Sequence, residues 1–203
     1  MATQAGGLPL DGMPAWQRAR RQRIVDAALA ALERHEYEQI QIRDVAQAAD
    51  VALGTLYRYF SSKEHLYAAV LQEWAALGRA GATRSRRRSA EARLRSRMHG
   101  VITAFERQPQ FYKVHMLLQS SSDPNVVALM AEFAASARAT LAEDLAVLGS
   151  DRAHDVATML WSIINSMLSR AIHHDGSMTE VYRIADRFID LLAPELAEAA
   201  LTP

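Results

Sequence analysis

Ile42-Arg43-Asp44-Val45-Ala46-Gln47-Ala48-Ala49 leads through Asp50-Val51-Ala52 into Leu53-Gly54-Thr55-Leu56-Tyr57-Arg58-Tyr59-Phe60-Ser61-Ser62-Lys63-Glu64. The first segment is short and amphipathic. The second gathers two tyrosines, an arginine, a threonine and a lysine within a few helical turns. Two short helices across a tight turn are the layout of a helix-turn-helix, in which one helix crosses the DNA backbone and the next enters the major groove. Asp50 falls at the turn, where a short polar residue tolerates the left-handed backbone.

Major-groove readout needs a slim helix start whose side chains reach base edges and phosphates. Gly54 permits close backbone approach, Thr55 offers a hydroxyl and a methyl, and Leu53 and Ala52 suit thymine methyls. Arg58 suits either a base or a phosphate. Gln41 either caps helix two, about Ile42 to Ala49, or bonds a phosphate. Arg18, Arg20, Arg21 and Arg23 form a basic extension suited to the backbone or the minor groove. Leu56 and Phe60 read as core.

The segment from Ile24 to about Trp74 resembles the DNA-binding domain of the TetR family of transcriptional regulators. Asp50 to Phe60 is most similar to the branch of that family containing the repressors of sterol catabolism. The resemblance covers about a quarter of the chain. It implies phosphate contacts from Tyr57, Tyr59 and Lys63, and a backbone or guanine contact from Arg43. For Tyr57 and Tyr59 packing against the core is the open alternative.

The chain has 203 residues, half of them apolar, and no cysteine. Disulfide scaffolds and cysteine-ligated zinc are excluded, which fits a reducing cytoplasm. No run approaches the ~18 apolar residues of a membrane span. Net charge is zero, but the charge is divided. Residues 1–97 carry 16 basic and 10 acidic side chains, a net +6, and residues 98–203 carry 7 and 13, a net −6. A basic half on an acidic half suits a DNA-binding head on a regulatory body.

Every long segment has helical spacing and none alternates as a strand does, so the fold class is all-α with about nine helices. Residues 1–16 read as a disordered arm and 17–62 as the helix-turn-helix domain, with helix one over 17–35. Residues 63–203 read as a ligand-binding and dimerisation domain, with helix four, about 63–77, as connector. Ser62 is the expected N-cap of that helix. Residues 78–90, with Arg84-Ser85-Arg86-Arg87-Arg88, are the expected linker. The arginine run to Arg97 has three open readings: solvated, DNA-binding, or a clamp for an anionic ligand. Further helices are expected over 90–107, 110–119, 125–148, 151–173 (capped by Asp151) and from Ser177 or Thr179 to Pro194.

The TetR resemblance implies a ligand cavity in the body. Trp74, Met98, Ile102, Phe105, Phe111, Met116, Gln119, Met130, Phe133, Trp161 and Asn165 are its candidate lining, since methionines and aromatics make adaptable apolar walls. Each is also a candidate core residue, and Asn165 a candidate satisfied amide. The resemblance further implies a four-helix dimer interface from the last two helices, with Ile163, Met167, Val181 and Phe188 as candidates. His173-His174 suits the negative end of a helix dipole better than a metal. The expected partners are a pseudo-palindromic double-stranded DNA operator, a small apolar effector of the lipid or steroid acyl-CoA kind, and a second copy of the chain. No membrane and no cofactor is expected. The alternatives are a drug-sensing efflux repressor and a constitutive DNA binder. The sequence has no Gly-rich phosphate loop, paired-histidine motif or nucleophile elbow, so an enzyme is not expected.

Overall fold

The structure, a computed structural model, describes residues 12–80 and 89–201. Among them every element is helical. Nine α-helices are present: α1 Ala15–Leu32, α2 Ile42–Ala48, α3 Leu53–Tyr59, α4 Lys63–Ala80, α5 Ala90–Arg107, α6 Pro109–Leu118, α7 Pro124–Asp144, α8 Ser150–His173 and α9 Met178–Ala199. Short 3-10 turns cover Tyr37–Gln39 and Ala146–Leu148. No described helix is long and apolar enough to cross a membrane.

The chain divides into two compact units. The first comprises residues 1–77 with 110–131, and the second 78–109 with 132–203. In the first, α1 packs on α2 and α2 on α3. Ile24, Val25, Ala28 and Leu32 of α1 are buried, as are Val45 and Ala46 of α2 and Leu56 and Phe60 at α3. The second unit is built on α5 and α8 packed along α9, with Leu94, Met98 and Ile102 facing the core from α5. A run of buried α9 side chains, Val181, Ala185, Ile189, Leu192 and Leu196, gives that helix its inner stripe.

Several boundaries differ from expectation for physical reasons. Helix α1 begins at Ala15, behind Pro14, and Met13 is buried, so the part of the 1–16 arm that is described is ordered. Residues 1–11 lie outside the described residues. The same helix ends at Leu32 rather than at His35. Glu33 follows in αR geometry, so the exit tapers without the left-handed residue that favours glycine. Helix α7 stops at Asp144, and a 3-10 turn then leads to Gly149 at φ 82°. Gly149, not Asp151, is the N-cap of α8, and Asp151 lies in the first turn, where its charge suits the dipole. Pro194 sits inside α9 instead of ending it. Leu192 and Leu196 are buried on either side, so tertiary packing carries the helix across a residue that lacks an N–H.

Candidate nucleic-acid interface

The turn between α2 and α3 is built as its sequence demands. Asp50 adopts φ 53°, the left-handed conformation short polar residues tolerate, and Val51 N–H closes the turn onto the Ala46 carbonyl. Helix α3 spans the expected residues. Leu56, Tyr59 and Phe60 turn inward. Leu53, Gly54, Tyr57 and Arg58 are exposed, Thr55 is half-buried, and Tyr57 keeps 46 % of its surface in solvent. Arg43 and Gln41 are exposed on α2. Gln41 occupies the N-cap position but its side chain makes no capping bond. A Cβ on Gly54 would meet open space, so nothing in the fold itself requires glycine there.

Two residues expected to meet phosphates are used inside the protein. Tyr59 is 5 % exposed and belongs to the core. Helical spacing separates it from Tyr57 by about 200° around the axis, so one tyrosine faces out and the other in. Lys63, the first residue of α4, points its ammonium back onto the turn before α2. Nζ donates to the Tyr37 and Ile40 carbonyls and lies 4.2 Å from the Tyr37 ring centre. Burial lowers the Lys63 pKa, against the charge of Glu38. A cation at a helix N-terminus opposes the dipole, and carbonyl partners offset that.

The basic extension on α1 divides in the same way. Arg21 lies over the Phe60 ring at 4.9 Å, its pKa lowered by burial against the charge of Glu73. Arg20 stacks on the exposed Trp16 at 5.1 Å, and Arg18 and Arg23 are exposed.

Behind α3 lies a polar cluster. Ser62 Oγ caps α4 as expected, accepting from His65 N–H at 3.0 Å. His65 is 8 % exposed, and its Nδ1 accepts the Ser61 N–H at 3.1 Å. Asp123, two residues before Asn125 on α7, accepts both serine hydroxyls, at 3.3 and 3.1 Å. Burial raises the Asp123 pKa, but hydrogen bonds from Asn125 N–H, Ser62 and Ser61 outweigh it, and the net shift is down.

Residues 24–70 match the family model for bacterial regulatory proteins of the tetR family. Over 55 residues the chain is 58 % identical to the HTH-type transcriptional repressor KstR of Mycolicibacterium smegmatis, a stretch covering 27 % of each protein. It is 35 % identical over 57 residues to the fatty acid metabolism regulator protein of Bacillus subtilis, covering 28 % of this chain and 29 % of that one. Residues 24–70 are thus similar to the tetR-family regulators over the stretch that this family model describes. The matched stretch spans about a quarter of the length of these curated relatives. A crystal structure of a TetR transcriptional regulator from Rhodococcus sp. RHA1 shares the fold, with TM-score 0.72 at 21 % identity, covering 87 % of this chain and 97 % of that one.

Beyond residues 24–70, the candidate effector residues fall in both units. In the first, Trp74 stacks on Phe111 at 4.8 Å, Phe111 and Met130 are buried, Met116 is half-buried, and exposed Gln119 lies 2.8 Å from buried His115. In the second, Met98, Ile102 and Phe105 are core, and Phe133 lies 6.4 Å from Trp161. Asn165 donates to the Trp161 carbonyl at 3.0 Å, which realises the satisfied-amide alternative for that donor.

Where it is described, the arginine run is part-exposed and paired with carboxylates. Arg93 and Arg97 both meet the carboxylate of Asp144, itself 4 % exposed. Arg95 pairs with Glu91, Asp186 and Asp190, and these hydrogen bonds raise its pKa. Arg84 to Arg88 lie outside the described residues.

Of the candidate dimer residues, Ile163, Met167 and Phe188 are half-buried, but Val181 is fully buried in its own chain and offers nothing to a partner. Met159, 45 % exposed, and Leu191, 80 % exposed, are further apolar side chains on the surfaces of α8 and α9. Leu191 follows Ile184 and Phe188 at helical spacing, which is its signal in the sequence.

Proposed function

We propose that this protein is a homodimeric transcriptional repressor that reads a pseudo-palindromic operator with α2 and α3 and leaves it when a small apolar effector binds. The observation that carries the reading is α3 itself. Leu56, Tyr59 and Phe60 fix one face in the core, and Leu53, Gly54, Thr55, Tyr57 and Arg58 stand on the other. Arg43 and Gln41 extend that surface onto α2. An exposed glycine without an internal reason leaves room for close approach by another molecule.

One head reads one half-site weakly. Two heads about 34–36 Å apart read successive major grooves on one face of the duplex, so the reading requires a dimer. Apolar side chains on α8 and α9 support one: Met159 and Leu191 are exposed, and Ile163, Met167 and Phe188 are half-buried beside them. The effector is assigned to the lipids, as acyl-CoA thioesters of fatty or steroid acids. The methionine and aromatic content of the chain suits such ligands, and one matched relative is named a regulator of fatty acid metabolism. In this reading the DNA-binding head ends near Ser62, α4 connects it to the sensing body, and the protein works in the cytoplasm.

The test is selection of a duplex from a random pool, followed by footprinting. Long-chain and steroid acyl-CoAs, their free acids and cationic drugs are then titrated against the complex. A protected palindrome released by a thioester supports the reading. Release by drugs alone transfers the protein to the efflux repressors, and no release by any ligand makes it a constitutive DNA binder. Effector and operator must weaken one another by the same factor.

A further inference from the structure

His65 is a buried titratable group beside the proposed DNA-binding surface. It is the third residue of α4, where a capping box carries Glu or Gln to accept a backbone N–H from before the helix. The imidazole fills that role one residue further back, taking the Ser61 N–H on Nδ1. A backbone N–H only donates, so Nδ1 is bare and the ring proton of the neutral form sits on Nε2. The ring also meets Phe60 edge-on, with centroids 5.4 Å apart and an interplanar angle of 74°. Phe60 is the C-cap of α3, just past Tyr59, and Arg21 covers it as well. One imidazole therefore holds the C-cap residue of the recognition helix and the residue after it.

We propose that neutral His65 is a positioning residue for DNA recognition, and that its protonation loosens the turn between α3 and α4 and weakens operator binding. The proposal rests on the DNA-binding reading above. A proton on Nδ1 faces the Ser61 N–H donor directly, ends that bond, and turns the ring to the Ser61 hydroxyl, 3.1 Å from Nδ1, as its new acceptor, so the turn must rearrange. The charged groups around the ring come from three elements. Asp123 at the start of α7 favours the imidazolium, Arg21 on α1 disfavours it, and Lys63 and Glu64 precede His65 on α4. The Glu64 carboxylate is engaged by the Ser121 hydroxyl and Lys63 by carbonyls. Burial is the largest influence and holds the His65 pKa below its ordinary value.

The sign follows. An imidazole whose folded pKa is depressed binds fewer protons folded than unfolded. Its contribution is complete above about pH 6.5 and declines as pH falls from there through the folded pKa. Asp123 acts in the same direction, but only below about pH 4, so the two are separable.

The experiment compares wild type with His65→Gln on a duplex selected by the wild-type protein from a random pool at about pH 7.5. Glutamine at the third helical position supplies a non-titrating acceptor. As the pH is lowered through the His65 titration, wild-type affinity should fall by up to about fivefold, the loss of one neutral hydrogen bond, while His65→Gln stays within about twofold. An equal fall in both proteins overturns the proposal. NMR of the free protein provides a second readout. The Ser61 amide proton should shift with the same midpoint as the His65 ring nitrogens, and an amide indifferent to that titration overturns the proposal independently of DNA. If no duplex is selected, the DNA-binding reading fails and recognition by His65 falls with it. A Ser61 amide that still follows the imidazole then shows that the failure lies in the DNA-binding reading and not in the turn.

Discussion

The Lys63 ammonium lies 4.2 Å from the centre of the Tyr37 ring while donating to the Tyr37 carbonyl. With Ile40 as second acceptor, this side chain fastens the start of α4 to the turn before α2. Its cost on removal is therefore expected in stability. Lys63→Met, which keeps most of the stem, should lower unfolding free energy by about 1–3 kcal/mol, measured by urea denaturation. The slope of DNA affinity against salt should hardly change. A slope smaller by about one would return Lys63 to the phosphate contacts.

The tyrosines of α3 should separate cleanly. Tyr59→Ala empties a core site and should cost about 3–5 kcal/mol, as large-to-small aromatic changes do. Tyr57→Ala should leave the denaturation midpoint nearly unchanged and weaken binding to all sequences alike. Quantitative footprinting beside urea melts decides the matter, and the reverse pattern would mean that the face of α3 turned to DNA is misassigned.

These residues also show how far the sequence carried. The limits of α3, the capping by Ser62 and the left-handed Asp50 were legible because each depends on local geometry that a few residues encode. The target of Lys63 was not, since its acceptors are carbonyls 23 and 26 residues away and a carbonyl carries no sequence signature. Asp123 reaches the Ser61-Ser62 turn from about sixty residues along the chain, and nothing in its neighbours announces it. Pro194 misled because a local rule was overridden by burial on both sides of it. Val181 misled because a helix with apolar residues on two faces does not say which face is inside.

Alkaline pH should act on the same corner of the molecule. Burial, with the charges of Glu64 and Glu38, pushes the Tyr37 phenol up to about 12, and burial raises the Tyr67 phenol as well. Folded protein thus keeps protons that the unfolded chain releases near pH 10, so this stabilisation is intact below about pH 10 and lost as pH rises through about 12. Urea midpoints measured across that range should fall, and Tyr37→Phe should fall less steeply. Parallel curves would remove Tyr37 from the account.

Asp144 makes the sharpest prediction for the second unit. Its carboxylate is buried between Arg93 and Arg97, one helical turn apart on α5. Breaking a buried pair leaves an uncompensated charge and costs about 3–5 kcal/mol, whereas replacing the whole group with apolar side chains is often neutral. Arg97→Ala keeps Arg93 as counter-charge and should cost less than that, whereas Arg93→Ala with Arg97→Ala leaves the Asp144 charge uncompensated and should destabilise strongly. The combination of Asp144→Leu with Arg93→Met and Arg97→Met should recover most of that loss, and a triple variant weaker than the double alanine variant would show that the ion pairs stabilise the fold outright.

The last prediction concerns assembly. Leu191 is 80 % exposed on α9, and Phe188 lies one turn before it. A charge at Leu191 disturbs nothing buried in its own chain, so Leu191→Lys should fold with an unchanged melting temperature at high dilution. If α9 meets a second copy through this stripe, two lysines then face one another or lose their water, and the dimer should dissociate at least tenfold more readily, about 1.4 kcal/mol. Val181→Ala is the control. It should lower stability through a small cavity while leaving the association constant alone, since Val181 is wholly inside. Sedimentation equilibrium of the three proteins reads both effects. The same variants should lose operator affinity in proportion to the dimer lost, because a single head engages one half-site. A Leu191→Lys protein that stays dimeric and binds DNA as before would move the interface off this face of α9.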